Sequence, residues 1–376
     1  MPNSPMRQIL VAPDSFKGTL SAGEVCRIAL ETLEPEFDCV SHPLADGGEG
    51  TLEAIASNLH SQWQTLQVQG PLPRQKVNAR YLWLPEKETA VIEMAQASGL
   101  PLVPIGERNP EITTSYGTGE LMVHAIHREA KQIQLAIGGS ATNDAGLGLL
   151  MALGWQFLDH QGQSVGWGGQ ALGKVAEIIP PVLNAFPRVT VLCDVTNPFY
   201  GSHGAAQVYA PQKGADPAMV QRLDQGLCHF AQVVQGFDGF EVNFPGAGAA
   251  GGMGGGVAWA LGAKIKSGFA AIANLTQLEQ AMTESDLVIT GEGCLDHQSP
   301  QGKVVGGVLE LAKKINKPVI IIAGQCQLSQ AVLPSVLRVF SLVGPDIPLE
   351  KALQHPQTAL KKRLVQVKQH LAQGQN

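Results

Sequence analysis

The chain has 376 residues, and its 26 Lys and Arg against 32 Asp and Glu leave a formal charge of −6. That balance excludes the basic footprint of a nucleic-acid binder. With 44% apolar and only 15% charged residues, a disordered chain is excluded too, and the length suggests two or three domains.

In chain order, Ile9 to Ala12 is an apolar run stopped by Pro13-Asp14, which reads as a buried strand. Ser21-x-x-Glu24 is a capping-box pattern, with Ile28, Ala29 and Leu33 on the helical face that follows. Phe37 to Leu44 reads as a second strand, ending in the loop Ala45 to Gly50, and Thr51 to Leu59 as a helix. Two β-loop-α units in sixty residues indicate a mostly parallel sheet covered by helices. The middle of the chain offers Ala90 to Met94, Ile133 to Ile137 and Val189 to Cys193 as strands, among glycine-rich loops. Val242 to Ala263 is uncharged and long enough to span a bilayer. Its eight glycines from Gly246 onward make it a loop and a buried helix instead, so no membrane partner is expected. The β-loop-α pattern returns with a strand at Leu287 to Thr290 and the loop Gly291-Glu292-Gly293. A helix at Val304 to Lys314, strands at Val319 to Ala323 and Val339 to Val343, and a last helix near Thr358 to Leu371 complete it.

The expected fold class is therefore α/β. A Rossmann-like parallel-sheet domain is formed by both chain ends, residues 1–70 and 268–376, with a second α/β domain, 71–267, inserted between them. Pro71-Leu72-Pro73 and Lys264 to Gly268 are the expected crossing points. The six cysteines, Cys26, Cys39, Cys193, Cys228, Cys294 and Cys326, are scattered without C-x-x-C spacing and read as reduced thiols. The opening residues contain no signal-peptide pattern, so the expected location is cytoplasmic.

Five loops combine turn-forming residues with a carboxylate: Pro13 to Thr19, Asp46 to Thr51, Gly138 to Asp144, Asp194 to Pro198 and Gly291 to Asp296. At the carboxyl edge of a parallel sheet, glycine N–H groups and helix N-termini receive anions. Carboxylates there hold Mg²⁺ or accept a proton. Any one such loop is ordinarily capping and turn chemistry; five together suit a magnesium–phosphate ligand. A P-loop is absent: Val304 follows Gly302-Lys303, and His297 stands where its first glycine belongs. A literal G-x-G-x-x-G at Gly246 to Gly251 follows Pro245 rather than a strand. No acid lies between it and Leu278, which argues against a nicotinamide site. His124-x-x-His127 reads as a solvated helix face. Lys17 and Arg108 lie in small, polar loops where cations are scarce, and fit a clamp on phosphate or carboxylate.

These blocks resemble the type-1 glycerate kinase family along nearly the whole chain. They are VAPDSFKGT at 11–19, PLADGGEGT at 43–51, IEMAQASGL at 92–100, RNP at 108–110 and GTGEL at 117–121. GGSATND at 138–144, CDVTNP at 193–198, APQKGA at 210–215, PGAGAAGGMG at 245–254 and ITGE at 289–292 follow. Two positions depart from the family pattern: Ala145 follows Asn143-Asp144 where glycine is usual, and Cys294 replaces the commoner arginine after Gly-Glu-Gly. The resemblance implies ATP-dependent, Mg²⁺-assisted phosphorylation of D-glycerate to 2-phosphoglycerate, with a Rossmann-like domain from both chain ends.

For that chemistry the expected catalytic residues are Asp194 and Asp46, as candidate bases, with Lys17. Arg108, Ser15 and Asn197 are expected to bind the substrate, its carboxylate falling to Arg108 or Lys17. Gly138, Gly139, Ser140, Asn143 and Gly248 are expected at the nucleotide phosphates, and Asp46, Glu292 and Asp296 at the metal. The alternatives are a non-catalytic sugar-acid sensor and a nicotinamide-dependent hydroxy-acid oxidoreductase. The oligomeric state is left open.

Overall fold

The computed structural model describes residues 8–34, 36–182, 186–296, 303–327 and 336–373. The opening residues, His297 and Gly302, weighed above, lie outside the described residues. In chain order the strands are β1 (Gln8–Val11), β2 (Asp38–Ser41), β3 (Gln62–Gln69), β4 (Lys76–Leu84), β5 (Thr89–Glu93), β6 (Gln132–Ala136) and β7 (Gln156–Leu158). They continue with β8 (Glu177–Ile179), β9 (Arg188–Leu192), β10 (Lys264–Lys266), β11 (Leu287–Leu295), β12 (Val319–Cys326) and β13 (Val336–Ser341). The architecture is α/β, and the chain divides into two compact units.

The first unit comprises Met1–Asp46, Glu53–Leu59 and Gly268–Asn376. Its sheet is parallel throughout, in the order β13-β12-β11-β1-β2. Helices cover both faces, which is why its strands are continuous apolar runs rather than alternating ones. Ile9, Val11, Ile320 and Ile322 pack toward the helices Ala22–Leu33 and Pro356–Gln373. Leu10, Ala12, Val319 and Ile321 pack on the opposite face with Phe269, Leu278, Val304 and Val308. Ser21 accepts from the Glu24 N–H while the Glu24 carboxylate accepts from the Ser21 N–H, so the capping box is present at the first helix.

The second unit comprises Gly47–Leu52 and His60–Ser267. Its main sheet runs β10-β9-β6-β5-β4-β3, and β7 and β8 form a separate pair. The strands β5, β6, β9 and β10 are parallel, while β3, β4 and β5 are antiparallel neighbours. Residues 60–70, expected in the end domain, lie here instead, because β3 pairs with β4 along its whole length. Pro71-Leu72-Pro73 is accordingly part of the hairpin turn, closed by the Gly70 N–H to the Gln75 carbonyl at 2.8 Å, and not a crossing between domains.

The loop expected at Gly291 to Asp296 is also different, since β11 continues through it to Leu295. There the glycines let strands approach: a β-carbon on Gly291 would lie 1.9 Å from the Ile322 carbonyl oxygen. Val242 to Ala263 is a loop leading into the buried helix Ala249–Leu261. Among the described residues no helix is long and apolar enough to cross a membrane.

Candidate active site

In the first unit the carboxyl end of β1 turns sharply. The Asp14 N–H donates to the Gly291 carbonyl of β11 at 2.8 Å, which holds Asp14 beside the neighbouring strand. The Ser15 N–H donates to the Asp14 carboxylate at 2.6 Å, so Ser15 shapes the turn through its backbone. Three carboxylates and one ammonium meet at this edge. Lys17 pairs with Asp46 at 3.5 Å, and Asp14, Asp46 and Glu292 all act on the Lys17 ammonium, raising its proton affinity.

Asp14 and Glu292 are buried. Burial, and then the negative charge of Asp46, push the Asp14 carboxyl up to about 7. The structure thus brings together Lys17, Asp46 and Glu292 as expected and adds Asp14, whose burial no spacing announces. Asp296 sits past the end of β11, where its charge bears on Cys294. The expected set Asp46, Glu292 and Asp296 does not form a three-ligand metal cluster; among the described residues no such group of His, Cys, Asp and Glu occurs.

In the second unit the loops at 47–52 and 138–140 touch through glycine. A β-carbon on Gly138 would sit 2.8 Å from the Gly48 Cα, so only glycine permits this approach. The Leu52 N–H, in the first turn of the helix Thr51–Asn58, donates to the buried Glu93 carboxylate at 3.0 Å. Gly139 accepts the Leu100 N–H through its carbonyl at 2.8 Å, tying the same loop to the turn after β5.

Ser140, Thr142, Asn143 and Asp144 are all buried. Asp144 accepts from the Ser115 N–H and hydroxyl, and from the Gly146 and Gly148 N–H groups, at 2.8–3.3 Å. Burial nevertheless raises its proton affinity, partly offset by those donors. Lys213, part of the APQKGA block but given no role there, donates to the Ser140 hydroxyl at 2.8 Å and the Thr142 carbonyl at 2.6 Å. It is only 2% exposed, and burial pushes its ammonium down to about 7, with Asp144 pulling the other way.

Arg108 comes to the same place through Gly214, the neighbour of Lys213. At φ +97 that glycine packs on Arg108, and a β-carbon there would lie 2.2 Å from the Arg108 carbonyl oxygen. The Arg108 Nε is buried and has no hydrogen-bond partner among the described residues.

The remaining expected residues lie elsewhere in this unit. Asp194 is exposed in the loop after β9. The Asn197 side chain is committed within the protein: its amide donates to the His203 carbonyl at 2.9 Å and accepts from the Tyr209 hydroxyl at 2.6 Å. These bonds make it a loop brace, and a role at the substrate would fall to its remaining amide N–H and oxygen lone pair. The Gly248 N–H donates to the Asn197 carbonyl at 3.0 Å, and a β-carbon there would meet the Pro198 carbonyl oxygen at 2.1 Å. The Gly248 N–H is therefore taken up in loop packing. His124 is half-buried, its ring bonding the Tyr81 hydroxyl at 2.8 Å, while His127 is exposed.

Comparison with known proteins identifies the family. Residues 9–372 match the sequence model of the glycerate kinase family. The chain is 85% identical over 371 residues to an uncharacterized protein of Synechocystis sp., covering 99% of this chain and 100% of that one. It is 45% identical over 326 residues to the glycerate 2-kinase of Escherichia coli, covering 84% and 85%. A crystal structure of a candidate glycerate kinase 2 from Salmonella typhimurium LT2 matches with a TM-score of 0.85 at 39% identity, over 98% of this chain and 99% of that one. The chain belongs to the glycerate kinase family.

Proposed function

We propose that this chain transfers the terminal phosphoryl group of ATP to the 2-hydroxyl of D-glycerate, giving 2-phosphoglycerate. The observation that carries the reading is the family match across residues 9–372, together with a relative named for the 2-kinase reaction. Phosphoryl transfer demands positioning and charge stabilisation more than covalent chemistry. Both are within reach of these loops.

We assign Mg²⁺ to one or two carboxylates drawn from Asp14, Asp46 and Glu292. Asp14 is held protonated to about 7 by burial and by Asp46, a repulsion that a divalent cation relieves. Magnesium characteristically takes one or two carboxylates plus substrate phosphates, so a three-residue protein cage is unnecessary. When bound, the ion supplies neutralisation of charge on the transferred group. Lys17, paired with Asp46 on an open edge, is free to swing toward an anion, because an exposed pair is held by little. Arg108, with a buried Nε, suits the substrate carboxylate. Asp194 and Asp46 remain the candidate bases for the substrate hydroxyl, Asp194 being exposed beyond the end of β9. The Gly138–Ser140 turn is assigned to phosphate. We also infer a cytoplasmic location, supported by six free thiols.

The test is an ATP assay against a panel of small hydroxy acids, with phosphorus NMR of the product. D-glycerate is expected to release ADP and to yield a product that enolase consumes without a mutase. Consumption only after adding a mutase would assign the 3-hydroxyl, and absence of ADP release would overturn the kinase reading.

A further inference from the structure

The Gly138 to Asp144 loop contains more buried polar capacity than the protein uses. Asn143 is fully buried, and neither its amide nitrogen nor its amide oxygen has a hydrogen-bond partner among the described residues. The Thr142 hydroxyl, next in the chain, is in the same state. Lys213 reaches this loop with three ammonium protons and finds two acceptors, Ser140 Oγ and the Thr142 carbonyl, both neutral. Asp144, the acid whose charge acts on Lys213, spends its oxygens on four other donors.

Buried polar groups in folded proteins are nearly always paired, and a lone buried charge is expensive. Here unmatched donors and an ammonium without a bonded counter-ion fall on the single loop Gly138 to Asp144 and the side chain that touches it. A loop merely tethered by lysine would need only the two bonds already present. It would leave no reason for the burial of Asn143 with its amide unused.

We propose that Lys213, with the Ser140 and Thr142 hydroxyls and the Asn143 amide, forms a binding site for an anionic oxygen of one of the two reactants. The ammonium supplies the counter-charge, and the neutral donors fix the direction of approach. The same loop chemistry serves a carboxylate or a phosphoryl group, and the Arg108 backbone packs on Gly214 beside Lys213. Lys213 is thus a binding residue. The inference builds on the kinase reading for its ligands and stands on the protein's own geometry for the site.

The experiment uses the full chain and three variants, Lys213→Met, Asn143→Ala and Ser140→Ala. Circular dichroism and melting temperature first establish which are folded. Dissociation constants are then measured separately for D-glycerate, for a non-hydrolysable ATP analogue with magnesium, and for inorganic phosphate. Lys213→Met is expected to weaken one reactant on the order of 10²-fold, the usual scale for removing one partner of a buried charge interaction. The other reactant should be changed by less than about threefold, within the scatter of uncoupled sites. Loss confined to D-glycerate identifies a carboxylate site; loss for the nucleotide and inorganic phosphate together identifies a phosphoryl site. Asn143→Ala should weaken the same ligand to a smaller degree. If Lys213→Met does not fold, Asn143→Ala and Ser140→Ala decide the question by the same criterion. Folded variants with unchanged dissociation constants for all three ligands overturn the proposal. Wild-type protein that binds phosphate or D-glycerate through Lys213, yet transfers no phosphoryl group, fails the kinase reading alone.

Discussion

The two units handle buried charge in opposite ways. The first gathers carboxylates at an open edge, with the side chain of Lys17 73% exposed and that of Asp46 21% exposed. Water and a mobile ammonium can moderate that repulsion. The second places one ammonium at 2% exposure and surrounds it with neutral oxygens. The acid cluster is therefore adjustable, and the lysine is not. The acid cluster carries more negative charge than its one ammonium offsets, and the buried lysine has no bonded counter-ion.

The largest effect tests the acidic side. Asp46→Asn and Asp14→Asn should each lower kcat by about 10²–10⁴, the scale of one acid–base or electrostatic contribution. Asp194→Asn belongs in the same kinetic comparison. A near-normal kcat for Asp14→Asn and Asp46→Asn would break the assignment, and a loss for Asp194→Asn alone would move the chemistry to the loop after β9.

The next effect is a pair of pH dependences of opposite sign, measured without magnesium or reactants. Asp14 is raised from 3.8 to about 7, so the folded chain keeps a proton that the unfolded chain releases. Its contribution to stability should fall as pH rises from about 4 to 7 and stay flat above that. Lys213 is lowered from 10.5 to about 7, so there the unfolded chain holds the extra proton. Its contribution should rise as pH goes from about 7 to 10.5. Melting temperature against pH for wild type, Asp14→Asn and Lys213→Met checks both. The advantage of Asp14→Asn over wild type should grow across the first window. The difference between wild type and Lys213→Met should change across the second, in favour of wild type. Parallel curves would show that neither group titrates as described.

A smaller effect separates bracing from binding. Asn197→Ala should cost about 0.5–1.5 kcal/mol of stability, because it removes the bonds to the Tyr209 hydroxyl and the His203 carbonyl at a partly exposed site, with little change in KM for glycerate. A KM rise at unchanged melting temperature would return Asn197 to the substrate. The smallest effect is expected at Ala145, which is buried at φ 54. Glycine there would relieve about 1–2 kcal/mol of left-handed strain. It would also forfeit a buried methyl worth about 0.8 kcal/mol and add about 0.5–1 kcal/mol of chain entropy. Ala145→Gly should therefore leave the melting temperature nearly unchanged. A large shift in either direction would show that this cancellation fails.

What was legible in the sequence follows from the range over which each signal acts. The strands of the first unit were readable because burial on both faces writes itself as Ile-Ile-Ile-Ala, and the first helix because Ser21 and Glu24 are three residues apart. The strand β3 was missed: Gln62, Gln64 and Gln67 dilute its pattern, and only Val68 and Gln69 are buried. Arg108 and Ser140 were found as loop residues with suitable chemistry. Lys213 stands in the APQKGA block, but its role is not legible there, because its partner Ser140 is 73 positions away and nothing local marks a lysine for burial. Asn197 and Gly248 were given ligand roles because turn residues and anion-binding residues look alike until their hydrogen bonds are counted.

The sheet order of the first unit sets a timetable for biogenesis. Its strand β1 lies between β2 and β11, and Ile9 pairs with Leu287, so the N-terminal segment emerges from the ribosome long before its partner exists. At about 5–20 residues per second, that interval is roughly 15–60 s. Throughout it, Ile9, Leu10 and Val11 expose a strand edge with no native neighbour on one side, whereas the six strands of the second unit's main sheet are all made before β11 begins. The nascent chain is thus most exposed to mispairing at β1, and a chaperone that shields residues 8–11 would have its greatest effect on yield.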